Sequence, residues 1–127
     1  METQTNLKTI SQLFENTVQN YPNKELYYYK KGHDWSSING KTIGYTVTSI
    51  SEAILSFKLS KSDKVGIISN NSPRWAMTDY GIICSGCATV SIYPTLISSQ
   101  IEYIINDSGL KILFLENEDQ LDKINEI

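Results

Sequence analysis

Apolar residues recur at three- and four-residue intervals in some stretches of the chain and bunch into short unbroken runs in others. The alternation of these two patterns predicts an α/β fold. Ile10, Leu13, Phe14, Thr17, Val18 and Tyr21 form the first helical stripe. Thr9 and Gln12 stand at capping-box spacing in front of it, and Pro22 ends it because proline cannot continue the hydrogen-bond ladder. Glu25 to Tyr29 reads as a short aromatic strand, KKGHD (Lys30 to Asp34) as a turn, and the residues near Trp35 to Ile38 as a second strand. Ile43, Val47, Ile50, Ile54 and Phe57 mark a second helical face, and SKSDK is its exit turn.

Three short apolar runs follow: VGIIS (Val65 to Ser69), ATVSI (Ala88 to Ile92) and ILFL (Ile112 to Leu115). Continuous runs of this length fit strands buried on both faces of a parallel sheet. Between the first two, Ser72 is placed as N-cap and Pro73 as the first helical residue. That helix, running to about Ser85, is apolar nearly all round and is expected to be central. Gly86 suits the left-handed position that closes a helix. SSQIEYIINDSG predicts a short helix with Ser99 and Glu102 in capping-box spacing. Its core face is Ile101, Ile104 and Ile105, and Asn106 to Gly109 form its stop. Asn117 and Gln120 open a last helix with Leu121, Ile124 and Ile127 on one face.

Strand, helix, strand, helix, strand with short joints predicts a mostly parallel sheet with flanking helices and right-handed crossovers. The last helix offers no cap beyond Ile127, so the chain reads as cut within a helix. On that reading the isolated segment is expected to fold poorly or to associate through uncovered apolar faces.

Composition narrows the function classes. Of 127 residues, 40% are hydrophobic and 20% charged, which is globular composition, and the formal net charge is −3. The basic residues are scattered rather than gathered in a stripe, which argues against nucleic acid as a partner. METQTNLKTISQ lacks the charged and apolar regions of a secretory leader. Tyr80 to Ile101 carries no formal charge, but Gly81, Gly86, Pro94 and six hydroxyl side chains interrupt it. It reads as buried core rather than a membrane span. With two cysteines and no disulfide framework, a cytoplasmic setting is the simplest expectation.

Candidate chemistry is sparse. Cys84 and Cys87 form a Cys-x-x-Cys pair, but Cys84 falls in the last turn of a helix, where the negative end of the dipole disfavours a thiolate. A zinc site needs four ligands, and the single histidine, His33, lies in a distant turn. The cysteines are therefore read as buried and inert. His33 has no nucleophile near it in sequence, and a solvated turn explains it. Glu116, Glu118, Asp119 and Asp122 read as the dipole-favoured start of a helix rather than a metal site. Tyr27, Tyr28 and Tyr29 suit alternation in a half-buried strand. Asn70, Asn71 and Ser72 sit where parallel strands present function, at a strand's carboxyl end and a helix N-terminus, although capping accounts for most of that signal. No nucleotide-binding glycine loop or nucleophile elbow occurs. No catalytic, cofactor-binding or metal-ligating residue is assigned.

The order of segments says more. DKVGIISNNSPRWAMTDYGIICSGCATVSIYPT resembles the N-terminal part of the adenylate-forming, AMP-binding enzymes, specifically the long-chain fatty-acid–CoA ligases. The resemblance rests on Asp63 and Val65, on Asn71, Pro73 and Trp75, and on Asp79, Gly81 and Ile82. It continues through Gly86 and Ala88, through Tyr93, Pro94 and Thr95, and through Ile101, Tyr103, Ile104 and Ser108. QLFENTVQNYPNK and Trp35 extend it upstream. Departures are Cys87 inserted before Ala88, Ser62 and Lys58 at positions where the family favours glycine, and Arg74.

The resemblance implies that residues 1–127 are the first part of the large N-terminal domain, ending before the phosphate-binding loop. It implies an enzyme that uses ATP, Mg2+ and coenzyme A to convert a long-chain fatty acid to its acyl-CoA through an acyl-adenylate. It further implies a cytoplasmic protein, leaving open peripheral contact with the inner face of a membrane and a homodimer. The family's catalytic motifs would all lie after Ile127, so the segment itself is expected to be inactive scaffold. The competing reading is a non-enzymatic, stand-alone α/β interaction module of receiver-like size. That class needs acidic residues after its first parallel strand, where this chain has Asn70 and Asn71. A thiol-redox module is weakened by the helix-end position of Cys84.

Overall fold

The computed structural model describes residues 6–127; part of the leader reading, over residues 1–5, lies outside them. The elements run α1 (Ile10–Asn20), β1 (Glu25–Lys31), β2 (Asp34–Asn39), α2 (Gly40–Ser56), β3 (Lys64–Ile68), α3 (Pro73–Cys84), β4 (Ala88–Ile92), α4 (Ser98–Ser108), β5 (Ile112–Leu115) and α5 (Glu118–Asn125).

The three apolar runs pair as a parallel sheet in the order β4-β3-β5, with Ile68 level with Ile92 on one side and Leu115 on the other. Alternation along the central strand divides the core. Val65 and Ile67 point to one face and join Ile54 of α2 and Ile82 of α3. Ile68 points to the opposite face and joins Ile92 and Ile101 of α4, with Ile124 of α5 beside them. Between them Gly66 has no room for a side chain, since a Cβ there would stand 2.7 Å from Leu113 Cδ1 and 2.8 Å from Leu110 Cδ2.

β1 and β2 form a separate antiparallel hairpin turning at Gly32 and His33. It packs Leu26, Tyr27 and Ile38 against a second core of Phe14, Ile43, Val47 and Met77. Phe14 stacks on Tyr80 with ring centroids 4.6 Å apart. Gly81 lets α3 lie directly on α2, for a Cβ at this position would meet Ile50 Cγ2 at 2.5 Å.

Several expectations hold. Thr9 and Gln12 form the capping box of α1, Ser72 caps α3 through the Trp75 N–H, and Gly86 takes φ +85°. Others need correction. Ile10, Leu13 and Tyr21 are mostly exposed, and α1 buries only Phe14 fully, because it meets α2 and α3 along a single line. Phe57 lies beyond α2 and is exposed. α4 begins at Ser98, one residue before the expected cap: the Gln100 side chain accepts the Ile97 N–H, while Ser99 and Glu102 face solvent. α5 buries Gln120 rather than Leu121 or Ile127 and ends at Asn125, with Lys123 in its last turn.

Two non-glycine residues adopt left-handed backbone, Lys58 at φ +56° and Ser62 at φ +70°. These are the two positions at which the family resemblance favours glycine. The Ser62 N–H donates to Gly86 O at 2.8 Å, and the neighbouring Asp63 carboxylate accepts the Ser60 N–H at 2.8 Å. The turn is thus held by hydrogen bonds despite its strained backbone.

Candidate functional site

In a parallel sheet all strands present their carboxyl ends at one edge, and a crevice opens where successive connections leave toward opposite faces. Here the connection after β3 enters α3 on one face, while those after β4 and β5 enter α4 and α5 on the other. Two cavities flank the end of β3 accordingly. One of about 350 Å³ lies toward β4, between Ser69, Asn70, Asn71 and Trp75 on one side and Tyr93, Pro94 and Thr95 on the other. The second, about 300 Å³, lies toward β5 and is lined by Ser72, Arg74, Thr78, Phe114 and Glu116 among others. A shallower groove of about 670 Å³ runs between Leu26–Lys30 of the hairpin and Asn71–Pro73.

The Asn70–Ser72 segment joins these spaces, and its residues divide the work. Ser72 is committed to capping α3. Asn70 instead ties two strand ends together: its backbone N–H and its side-chain Nδ2 both donate to Glu116 Oε2 at 2.9 Å. All four residues of the acidic run are exposed, as expected, but Glu116 precedes the Asn117 cap and serves the strand ends rather than the start of α5. Asn71 is exposed and lines both the β4-side cavity and the hairpin groove. The rim therefore offers amides, hydroxyls and aromatic faces, suited to recognition.

A nucleoside triphosphate fits this donor set poorly. The cavity toward β5 has Arg74 as its cation, but the Glu116 carboxylate stands on the same rim, and the Trp75 N–H of α3 is already taken by Ser72. Among the described residues, no three His, Cys, Asp or Glu side chains gather closely enough to hold a metal ion.

Cys84 ends α3 and is half-buried, while Cys87 is buried against the α2–α3 core. Burial pushes the Cys84 thiol up, and the Glu15 carboxylate adds to the rise. The direction matches expectation, but burial is the leading cause. His33 sits exposed in the hairpin turn. Tyr27 and Tyr29 are half-buried and Tyr28 is exposed, as alternation requires. Burial raises the Tyr27 phenol, with Tyr80 and Asp79 adding to it. No helix of the described residues is long and apolar enough to cross a membrane.

A parallel sheet with helices on both faces and a crevice at its strand ends defines a doubly wound α/β scaffold. The chain belongs to the AMP-binding enzyme family, whose pattern matches residues 14–127. It is 28% identical over 116 residues to a long-chain-fatty-acid–CoA ligase of Mus musculus, covering 91% of this chain and 17% of that protein. Against the fatty acyl-CoA synthetase A of Dictyostelium discoideum the identity is 31% over 93 residues, or 73% of this chain and 14% of the other. The fold superposes on the crystal structure of an anthranilate CoA ligase bound to anthranoyl-AMP with a TM-score of 0.82. That match has 19% identity and covers 92% of this chain and 22% of that one. The chain thus spans about a sixth or less of the length of the curated relatives it matches.

Proposed function

We propose that these residues are the N-terminal part of an ATP-dependent long-chain fatty-acid–CoA ligase. The reaction joins a fatty acid and coenzyme A, with cleavage of ATP to AMP and pyrophosphate by way of an acyl-adenylate. The observation that carries the reading is the match to fatty-acid–CoA ligases over nine-tenths of the chain, taken with its Tyr93-Pro94-Thr95 segment on the rim of a strand-end cavity.

In this role residues 1–127 are the opening portion of the AMP-binding domain. They supply one sheet layer and its recognition edge, and the groups that handle phosphates and Mg2+ come from sequence beyond Ile127. The poor fit of a triphosphate to Arg74 and Glu116 supports that division. ATP stores the driving force, because forming AMP as a leaving group makes the carboxylate carbon open to attack by the thiol.

The test is fatty-acid-dependent pyrophosphate release, measured on the protein encoded by the reading frame continued past Ile127 and on the 127-residue chain alone. Release by the longer protein and none by the short one is expected. Release by the short chain would show that the catalytic groups lie within it. A longer protein that binds but never cleaves ATP in the presence of fatty acids would overturn the ligase reading.

A further inference from the structure

α5 docks on the rest of the fold in an unusual way. Its fully covered residue is Gln120, 6% exposed, while Leu121 is 44% exposed. Two side chains of α5, Gln120 and Lys123, and its C-cap residue Glu126 reach the loop that follows β4 and the first residue of α4. Gln120 Nε2 donates to Pro94 O at 3.3 Å. The Lys123 ammonium donates to the same carbonyl at 2.5 Å and to Leu96 O at 3.1 Å. Ser98 Oγ donates to the Glu126 carboxylate. Two carbonyls of the loop, at positions 94 and 96, are therefore tied to α5, and the first residue of α4, Ser98, is tied to the α5 C-cap.

The loop so held forms a wall of the cavity toward β4, through Tyr93, Pro94 and Thr95. Its own internal bond is a single turn closure, Leu96 N–H to Tyr93 O at 3.2 Å. Tyr93 and Ile97 are among the most exposed large side chains, so apolar burial of these two does not fix the loop. Leu96 anchors the middle of the loop on the Ile68–Ile92–Ile101 core, and the two carbonyls gathered by Lys123 set its backbone course, because charge-assisted bonds in a partly buried setting outweigh neutral ones.

We propose that Lys123, supported by Gln120, is a positioning residue for the Tyr93–Thr95 wall, setting the shape of the strand-end cavity without lining it. The inference rests on the proposed function only in taking that cavity as a substrate-facing surface. The clamp itself can be tested without any ligase activity.

The experiment is residue-resolved amide hydrogen exchange on the 127-residue chain, comparing the unsubstituted protein with Lys123→Met and Lys123→Arg. The Leu96 amide reports the turn, and the Ile67 and Ile68 amides of β3 report the fold. Lys123→Met removes both charge-assisted bonds and is expected to speed exchange at Leu96 at least about tenfold through local opening. β3 should keep its protection, and Lys123→Arg should restore most of the effect because guanidinium also donates to both carbonyls. Unchanged Leu96 exchange in Lys123→Met would overturn the proposal. Equal loss of protection at Leu96 and β3 would overturn it too, by showing a general structural role. Failure of pyrophosphate release with the clamp intact would count against the ligase reading alone.

Discussion

The α2–α3 layer and α5 are held to the parallel sheet by different physics. On the α2–α3 face, Ile54, Val65, Ile67 and Ile82 are at most 2% exposed and close on one another as an apolar layer. Gly81 brings the two helices into direct contact. On the other face α4 follows the same rule through Ile101, but α5 adds little apolar burial and holds on through Gln120, Lys123 and Glu126. The apolar layers of both faces are made by area removed from water, and Ile68, Ile92 and Ile101 on the second are at most 1% exposed. The α5 contact is made largely by directed bonds and therefore ties down one loop. Stability resides in the apolar layers and the shape of the rim in the α5 contact.

Truncation is the most forceful way to break this comparison. Ile82→Ala, at a site with no exposure, should cost about 2–5 kcal/mol in urea unfolding. Leu121→Ala on α5 should stay within about 0.5 kcal/mol, as exposed substitutions do. A comparable loss at both sites would erase the distinction between the α2–α3 layer and α5.

Crowding the helix contact is a smaller perturbation of the first face alone. Gly81→Ala should destabilise by about 1–3 kcal/mol, since its Cβ would land on the branched Ile50 side chain rather than on a flexible tip. Unfolding curves with an unchanged midpoint would show that α2 and α3 can part without loss.

In the turn leading to the central strand the sign reverses. Ser62→Gly should stabilise by about 0.5 kcal/mol, because relief of the left-handed strain exceeds the added freedom of the unfolded chain. A lower thermal midpoint would indicate that the serine contributes more than its backbone costs.

The smallest effect expected is electrostatic. Cys84 has its thiol raised from the ordinary value of 9.0, first by burial and then by Glu15. The fold favours the protonated form, so this stabilisation is complete below the unfolded thiol's pKa and fades as the pH rises through the folded one. Alkylation at neutral pH should accordingly be slower at Cys84 than in a short peptide, with its rate rising at higher pH. Glu15→Gln should move that profile slightly toward lower pH, leaving most of the shift in place. A profile unmoved from the peptide's would remove burial as the cause.

Much of the scaffold was legible in the sequence. The apolar runs at Val65, Ala88 and Ile112 became the three parallel strands, and Ser72-Pro73 marked the start of α3, because caps and runs act through near neighbours. The stripe on α1 misled, since periodicity shows that a face is apolar but not how much of it another element will cover. The expected cap at Ser99 failed for a related reason: Gln100 made its bond from a residue that spacing alone does not single out. At the site, Asn70 to Ser72 were recognisable as a strand-end segment. The tie from Asn70 to Glu116 was not, because the partners are 46 residues apart and meet only when β3 and β5 pair.

The sequence by itself determined the class of fold, the helix starts and the membership of the AMP-binding family. Each follows from local chemistry or from the order of segments along the chain. Tertiary structure alone decided which apolar positions are covered, which acidic residue ties two strand ends together, and which helix grips the Tyr-Pro-Thr loop. Those outcomes depend on directed contacts between residues far apart in sequence, and their geometry exists only once the sheet has brought the strand ends together.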